Sequence, residues 1–134
     1  ILEQLAETMG ISYTEAFNYV QSKKKFDFIT SKFFEKIREC ILTEKDFVID
    51  RTHLKRNIRI SLINELKTIA IENGKPLELF AVSFELPKNI IFERLKSRAK
   101  KTGKFIPKEV ILDQIDSFDI PTIDEGFDSI ERIT

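Results

Sequence analysis

One spacing restricts the fold more than any other feature. A short apolar run, Phe47-Val48-Ile49, ends in Asp50. A helical pattern comes next in Ile58, Leu62, Ile63, Leu66, Ile69 and Ala70, and after Asn73-Gly74 and Pro76 a second apolar segment occupies residues 77–84. The brevity of the first run and its β-branched residues favour a buried parallel strand over a further turn of helix. The pattern between the two runs makes a helix of about four to five turns. Strand, helix, strand at this spacing is a βαβ crossover, which joins parallel strands in the right-handed sense in nearly all known cases. The predicted fold class is therefore α/β, a parallel sheet with flanking helices.

The flanking sequence adds helices. Leu2, Leu5, Ala6 and Met9 recur at helical spacing until Gly10 stops them. Ser12 and Glu15 are spaced as a capping box that opens a second short helix through Val20. After the polar, basic residues 22–25, a long helix presents Phe26, Ile29, Phe33, Phe34, Ile37 and Ile41 on the face expected to lie on the sheet. Pro87 starts a helix through Arg98, Pro107 precedes another over residues 108–118, and residues 129–133 read as a final strand. About three strands are legible, fewer than the roughly four to six typical of a sheet. The chain also enters a helical pattern directly at Ile1, so it is expected to be a fragment whose remaining strands lie upstream.

Composition bounds what the chain does. Its 134 residues suit one compact domain, 1–134. No apolar run approaches the roughly 18 to 20 residues of a membrane span, and a cytoplasmic location is expected. A single cysteine, Cys40, excludes an internal disulfide, and with one histidine, His53, it cannot build a cysteine-type zinc site, so no protein-held metal is expected. Lysine plus arginine equals aspartate plus glutamate at 22 each, so only the placement of charge can point to a partner.

Two places stand out. In open α/β sheets ligands bind beyond the carboxyl ends of strands, where Asp50-Arg51-Thr52-His53 falls. A carboxylate and a hydroxyl there suit a magnesium-bound water or a hydrogen bond near phosphates. Equally, Asp50 and Thr52 suit the cap of the next helix. The second place is 92–108, where Arg94, Lys96, Arg98, Lys100, Lys101, Lys104 and Lys108 face one acid, Glu93, a local net of +6 in a neutral chain. Arg94 and Arg98 stand four apart, so both guanidinium groups project from one helix face and can close on one polyanion. Residues 100–104, with Gly103, look like a mobile basic flap. The plain alternatives are a solvated helix face and pairing with the tail, where eight acids face one base over 109–134. Phe105, between Lys104 and Ile106, is the aromatic residue placed to stack on a base. No Ser/His/Asp set and no glycine-rich phosphate loop is present.

Together these residues resemble the C-terminal two-thirds of the P-loop kinases related to phage polynucleotide 5'-hydroxyl kinase. The likeness covers residues 45–134. It consists of a strand ending in Asp-x-Thr (Asp50, Thr52) with an arginine seven residues later (Arg59); a lid helix after Pro87 with Arg-x-x-x-Arg (Arg94, Arg98); Gly103, Pro107 and the helix holding Val110 and Ile111; and a closing Phe118, Pro121, Glu125, Gly126, Phe127, Asp128. The resemblance implies an ATP- and Mg2+-dependent kinase that transfers the γ-phosphoryl group to the 5'-hydroxyl end of a nucleic acid. Arg94, Arg98 and Asp50 would be its catalytic residues. Thr52, Arg59, Arg51, Lys101 and Lys104 would lie near nucleotide or phosphate, with Arg59 anchoring either a phosphate or an acid. The family's GxxxxGK loop and general-base aspartate are absent, as are its first strand and first helix. A missing N-terminal portion or a partner chain is therefore expected to complete the sheet, and without one the chain is expected to aggregate. A small-molecule or nucleoside kinase of the same superfamily and a non-catalytic binding or structural module remain the alternatives.

Overall fold

A computed structural model describes residues 1–22 and 26–134, without the side chains of 19–22, 26 and 27. The basic residues at 23–25 and the ring of Phe26 therefore lie outside the described residues. The architecture is mixed α/β: among the described residues there are six α-helices, a 3-10 turn and a two-stranded parallel sheet. The chain divides into two compact units, Ile1–Phe34 with Pro87–Lys108, and Glu35–Leu86 with Glu109–Thr134.

The first unit holds α1 (Leu2–Met9), α2 (Tyr13–Ser22), the start of α3 (Phe26–Leu42) and α5 (Lys88–Thr102). Gly10 ends α1 in the left-handed region (φ 66°), which lets Ile11 N–H reach the Ala6 carbonyl at 3.0 Å. Ser12 Oγ accepts the Glu15 N–H at 3.1 Å and starts α2 as its sequence pattern anticipates. α5 runs through Thr102, beyond the expected end at Arg98, and stops at Gly103 (φ 69°), whose N–H bonds the Ala99 carbonyl. The expected flap is thus mostly helix. Thr14 pins the turn beyond it: the threonine hydroxyl donates to the Gly103 carbonyl and accepts the Phe105 N–H, each at 3.3 Å. A glycine just past a helix does not loosen the chain here but terminates the helix in a defined conformation.

The second unit holds the rest of α3, α4 (Arg56–Glu72), β1 (Phe80–Phe84), α6 (Lys108–Ser117, after its first residue), a 3-10 turn (Ile123–Glu125) and β2 (Ser129–Ile133). The strands pair in parallel from Phe80↔Ser129 to Phe84↔Ile133. Asp128 fixes the register by taking the Leu79 N–H on its carboxylate and giving its own N–H to the Leu79 carbonyl, both at 2.7 Å. At the other end Glu85 N–H reaches the Ile133 carbonyl at 2.8 Å. The buried line of α4 is Arg59, Ile63, Leu66 and Ala70, spaced as one helical face. Ile58, expected on that face, is exposed, and a charged residue takes its place inside.

Two strand expectations need correction. Residues 47–49 form no strand, and Val48 is 91% exposed. A strand exists only through a hydrogen-bonded neighbour, and among the described residues none runs beside this segment. The sheet accordingly has two strands, not three. One face of β1, with Phe80, Val82 and Phe84, is exposed.

Candidate functional site

The segment after Ile49 is held by groups far along the chain. α4 begins after Lys55, which makes no side-chain cap. Instead Asp119 takes the Arg56 N–H on Oδ2 at 3.0 Å and gives its own N–H to the Leu54 carbonyl at 2.9 Å. Asp50 and Thr52 therefore do not cap this helix. Both are exposed, and neither has a side-chain partner among the described residues.

Arg59 holds the same segment from inside. Its guanidinium is 5% exposed and forks onto Glu125, Nε to Oε1 at 2.7 Å and Nη2 to Oε2 at 3.1 Å. Nη1 donates to the carbonyls of His53 (3.0 Å) and Leu54 (2.9 Å). The expectation for Arg59 offered a phosphate or an acid, and in this fold it engages an acid. With both edges of the fork so occupied, its role is to position the loop carrying Asp50 and Thr52. Glu125 also accepts the Thr122 N–H at 2.8 Å, half of a capping box that is legible in the spacing of Thr122 and Glu125 but was not among the sequence expectations. Arg56 extends the network to Thr122 at 2.7 Å and to Asp124 at 2.8 Å. Thr122 also donates to Asp124. Gly126 (φ 120°) lets this turn lie against α4, since a Cβ there would come within 2.9 Å of Ile63. Hydrogen bonding to Arg59 holds the Glu125 carboxyl below the usual carboxylate range, against the opposing effect of burial. The Arg56 hydrogen bond does the same for Asp124.

His53 occupies positive φ (32°), a region unfavourable for a residue with a Cβ. Burial first, then the charges of Arg51 and Arg59, lower its pKa from the usual value of about 6.5. The folded state thus prefers neutral imidazole, while the unfolded chain takes up a proton near pH 6.5. Stability is fully present above that pH and falls as acid protonates the unfolded ensemble first. In NMR the chain's one imidazole should titrate below 6.5, and His53→Gln should flatten the dependence of Tm on pH between about 7 and 5.5. A titration midpoint at or above 6.5 would contradict this.

The first unit carries the arginine pair. Arg94 and Arg98 are exposed on α5, and neither has a partner among the described residues. Lys101 is likewise exposed and unpaired among them. Lys104 is not: its ammonium stands 3.4 Å from Glu3 and 4.0 Å from the centre of the Tyr13 ring, which commits it to α1 and α2. The acids of the tail that form ion pairs through Arg56 and Arg59, Asp124 and Glu125, do so on α4. No family model, no curated protein and no solved structure matches this chain. Among the described residues no group of three histidine, cysteine or acidic side chains is placed to hold a metal ion, and no helix is long and apolar enough to cross a membrane.

Proposed function

We propose that these residues form the lid and acceptor side of a P-loop-type kinase that moves the γ-phosphoryl group of ATP to the 5'-hydroxyl of a nucleic acid. The observation that carries the proposal is the pair Arg94 and Arg98, one helical turn apart, exposed and committed to no carboxylate among the described residues. Two guanidinium forks so placed neutralise the charge that develops on the transferring group, an effect worth about 10³ to 10⁵ in rate. Asp50 and Thr52 add a carboxylate and a hydroxyl that are exposed and have no side-chain partner among the described residues. Magnesium would enter with the donor's phosphates, keeping several of its waters, and Asp50 would accept a hydrogen bond from one of those waters; the ion would supply charge neutralisation. The Arg59–Glu125 pair keeps that loop in place.

The four glycines end helices or form turns, and none belongs to a phosphate-cradling loop. That observation favours a second reading, a non-catalytic binding module on the same scaffold. The polypeptide encoded by the whole reading frame distinguishes the two. Incubated with γ-labelled ATP, Mg2+ and a panel of 5'-hydroxyl DNA and RNA oligonucleotides, nucleosides and small alcohols, it should label oligonucleotide 5' ends. Label on nucleosides or small alcohols alone would move the proposal to a small-molecule kinase, and no transfer at all would leave the binding module.

A further inference from the structure

α5 carries more positive charge than the arginine pair uses. Lys88, Arg94, Lys96, Arg98, Lys100 and Lys101 are all exposed, the helix has one acid, Glu93, and no ion pair engages any of the six among the described residues. Ile91, Leu95 and Ala99, four apart in one row, are half-buried, and Lys100 lies across the helix from that row. Helical spacing sets Arg94, Arg98 and Lys101 in one row and Lys96 and Lys100 in another. At the same end of α5 as Lys100 and Lys101 stands Phe105, 64% exposed although its own N–H is tied to Thr14. An exposed phenylalanine whose N–H is tied to Thr14, a few residues past a helix end whose cations form no ion pair among the described residues, supplies the two parts of a single-strand site, charge for phosphates and a ring for a base. Lysines in a last turn also suit the helix dipole, but that leaves the ring unexplained.

We infer that the C-terminal end of α5 and the turn after it bind single-stranded nucleic acid, with Lys96, Lys100 and Lys101 on the backbone and Phe105 stacked on a base. This deepens the kinase proposal by naming the strand that delivers the acceptor end, and it can be measured without turnover. Lys104 takes no part, because Glu3 and Tyr13 hold it.

The test is fluorescence anisotropy of a labelled single-stranded oligonucleotide across a salt series, using the whole chain. Lys100→Glu with Lys101→Glu should weaken binding at least tenfold and reduce the slope of log affinity against log salt by about 1.4, two contacts at about 0.7 each. Phe105→Ala should weaken binding about tenfold with an unchanged slope, and Phe105→Trp should restore it. Binding untouched by all three variants overturns the inference. So does binding to phosphatidylserine vesicles with none to the oligonucleotide, which would make the patch a lipid surface. Intact strand binding without phosphoryl transfer would defeat the kinase proposal and leave this inference standing; transfer with variant-insensitive binding would do the reverse.

Discussion

Replacing Glu125 with alanine should destabilise the protein by about 3 to 5 kcal/mol, the usual effect of removing one member of a buried ion pair. The ion pair is not itself a large source of stability, since two desolvated charges lose most of their attraction to the loss of hydration. The damage comes from the group left behind. Arg59 is 5% exposed and cannot turn to water, so its guanidinium stays charged and unpaired beside Leu66 and Ile63 on the buried face of α4. Arg59→Lys should be costly too, by about 1 to 3 kcal/mol, because one ammonium cannot serve Glu125 and the His53 and Leu54 carbonyls together. Urea midpoints with unchanged m-values are the measurement. Glu125→Ala within about 0.5 kcal/mol of the parent, on the order of an ordinary surface change, would refute the clamp. Acid adds a signature. The Glu125 carboxyl titrates lower in the fold than in the unfolded chain, so its contribution is full above a pH of about 4.5 and vanishes as pH falls through the folded value.

The second large effect is on turnover. On the kinase proposal, Arg94→Ala and Arg98→Ala should each lower kcat well over tenfold, and the double variant about 10³-fold, with thermal stability held within about 0.5 kcal/mol. Stability is spared because both side chains are exposed and unpaired among the described residues. Arginine to lysine at either position should recover only part of the rate, since a point charge replaces a bidentate fork. Turnover within about twofold of the parent for the double variant would remove the arginine pair from the chemistry.

Local signals in the sequence were reliable where a residue acts on its own neighbours. Gly10 ends α1 and Ser12 receives the Glu15 N–H, both as their patterns indicate. The failures depended on distant partners. The run 47–49 has strand composition and, among the described residues, no neighbour to pair with. The cap of α4 comes from Asp119, 63 residues away, so nothing near Lys55 could announce it. Arg59 was legible as an anchor, but its partner Glu125 lies 66 residues on, and only the Thr-x-x-Glu spacing at 122–125 hinted that this acid is structurally employed. For the candidate site, the exposed Arg94 and Arg98 agree with helical spacing, whereas the fixed end of α5 depends on Thr14.

The groups that complete the second unit have a consequence for how the protein is made. Asp119, Glu125 and β2 supply the cap of α4, the counter-ion of Arg59 and the neighbour of β1, and all arrive late in the synthesis of these residues. A polypeptide emerges amino end first, at about 5 to 20 residues per second. While that stretch is still being added, the nascent chain carries a naked guanidinium among aliphatic side chains and a phenylalanine-rich strand with nothing beside it. Until the turn at Ile123–Glu125 and β2 have been added, these residues expose the kind of surface that chaperones bind.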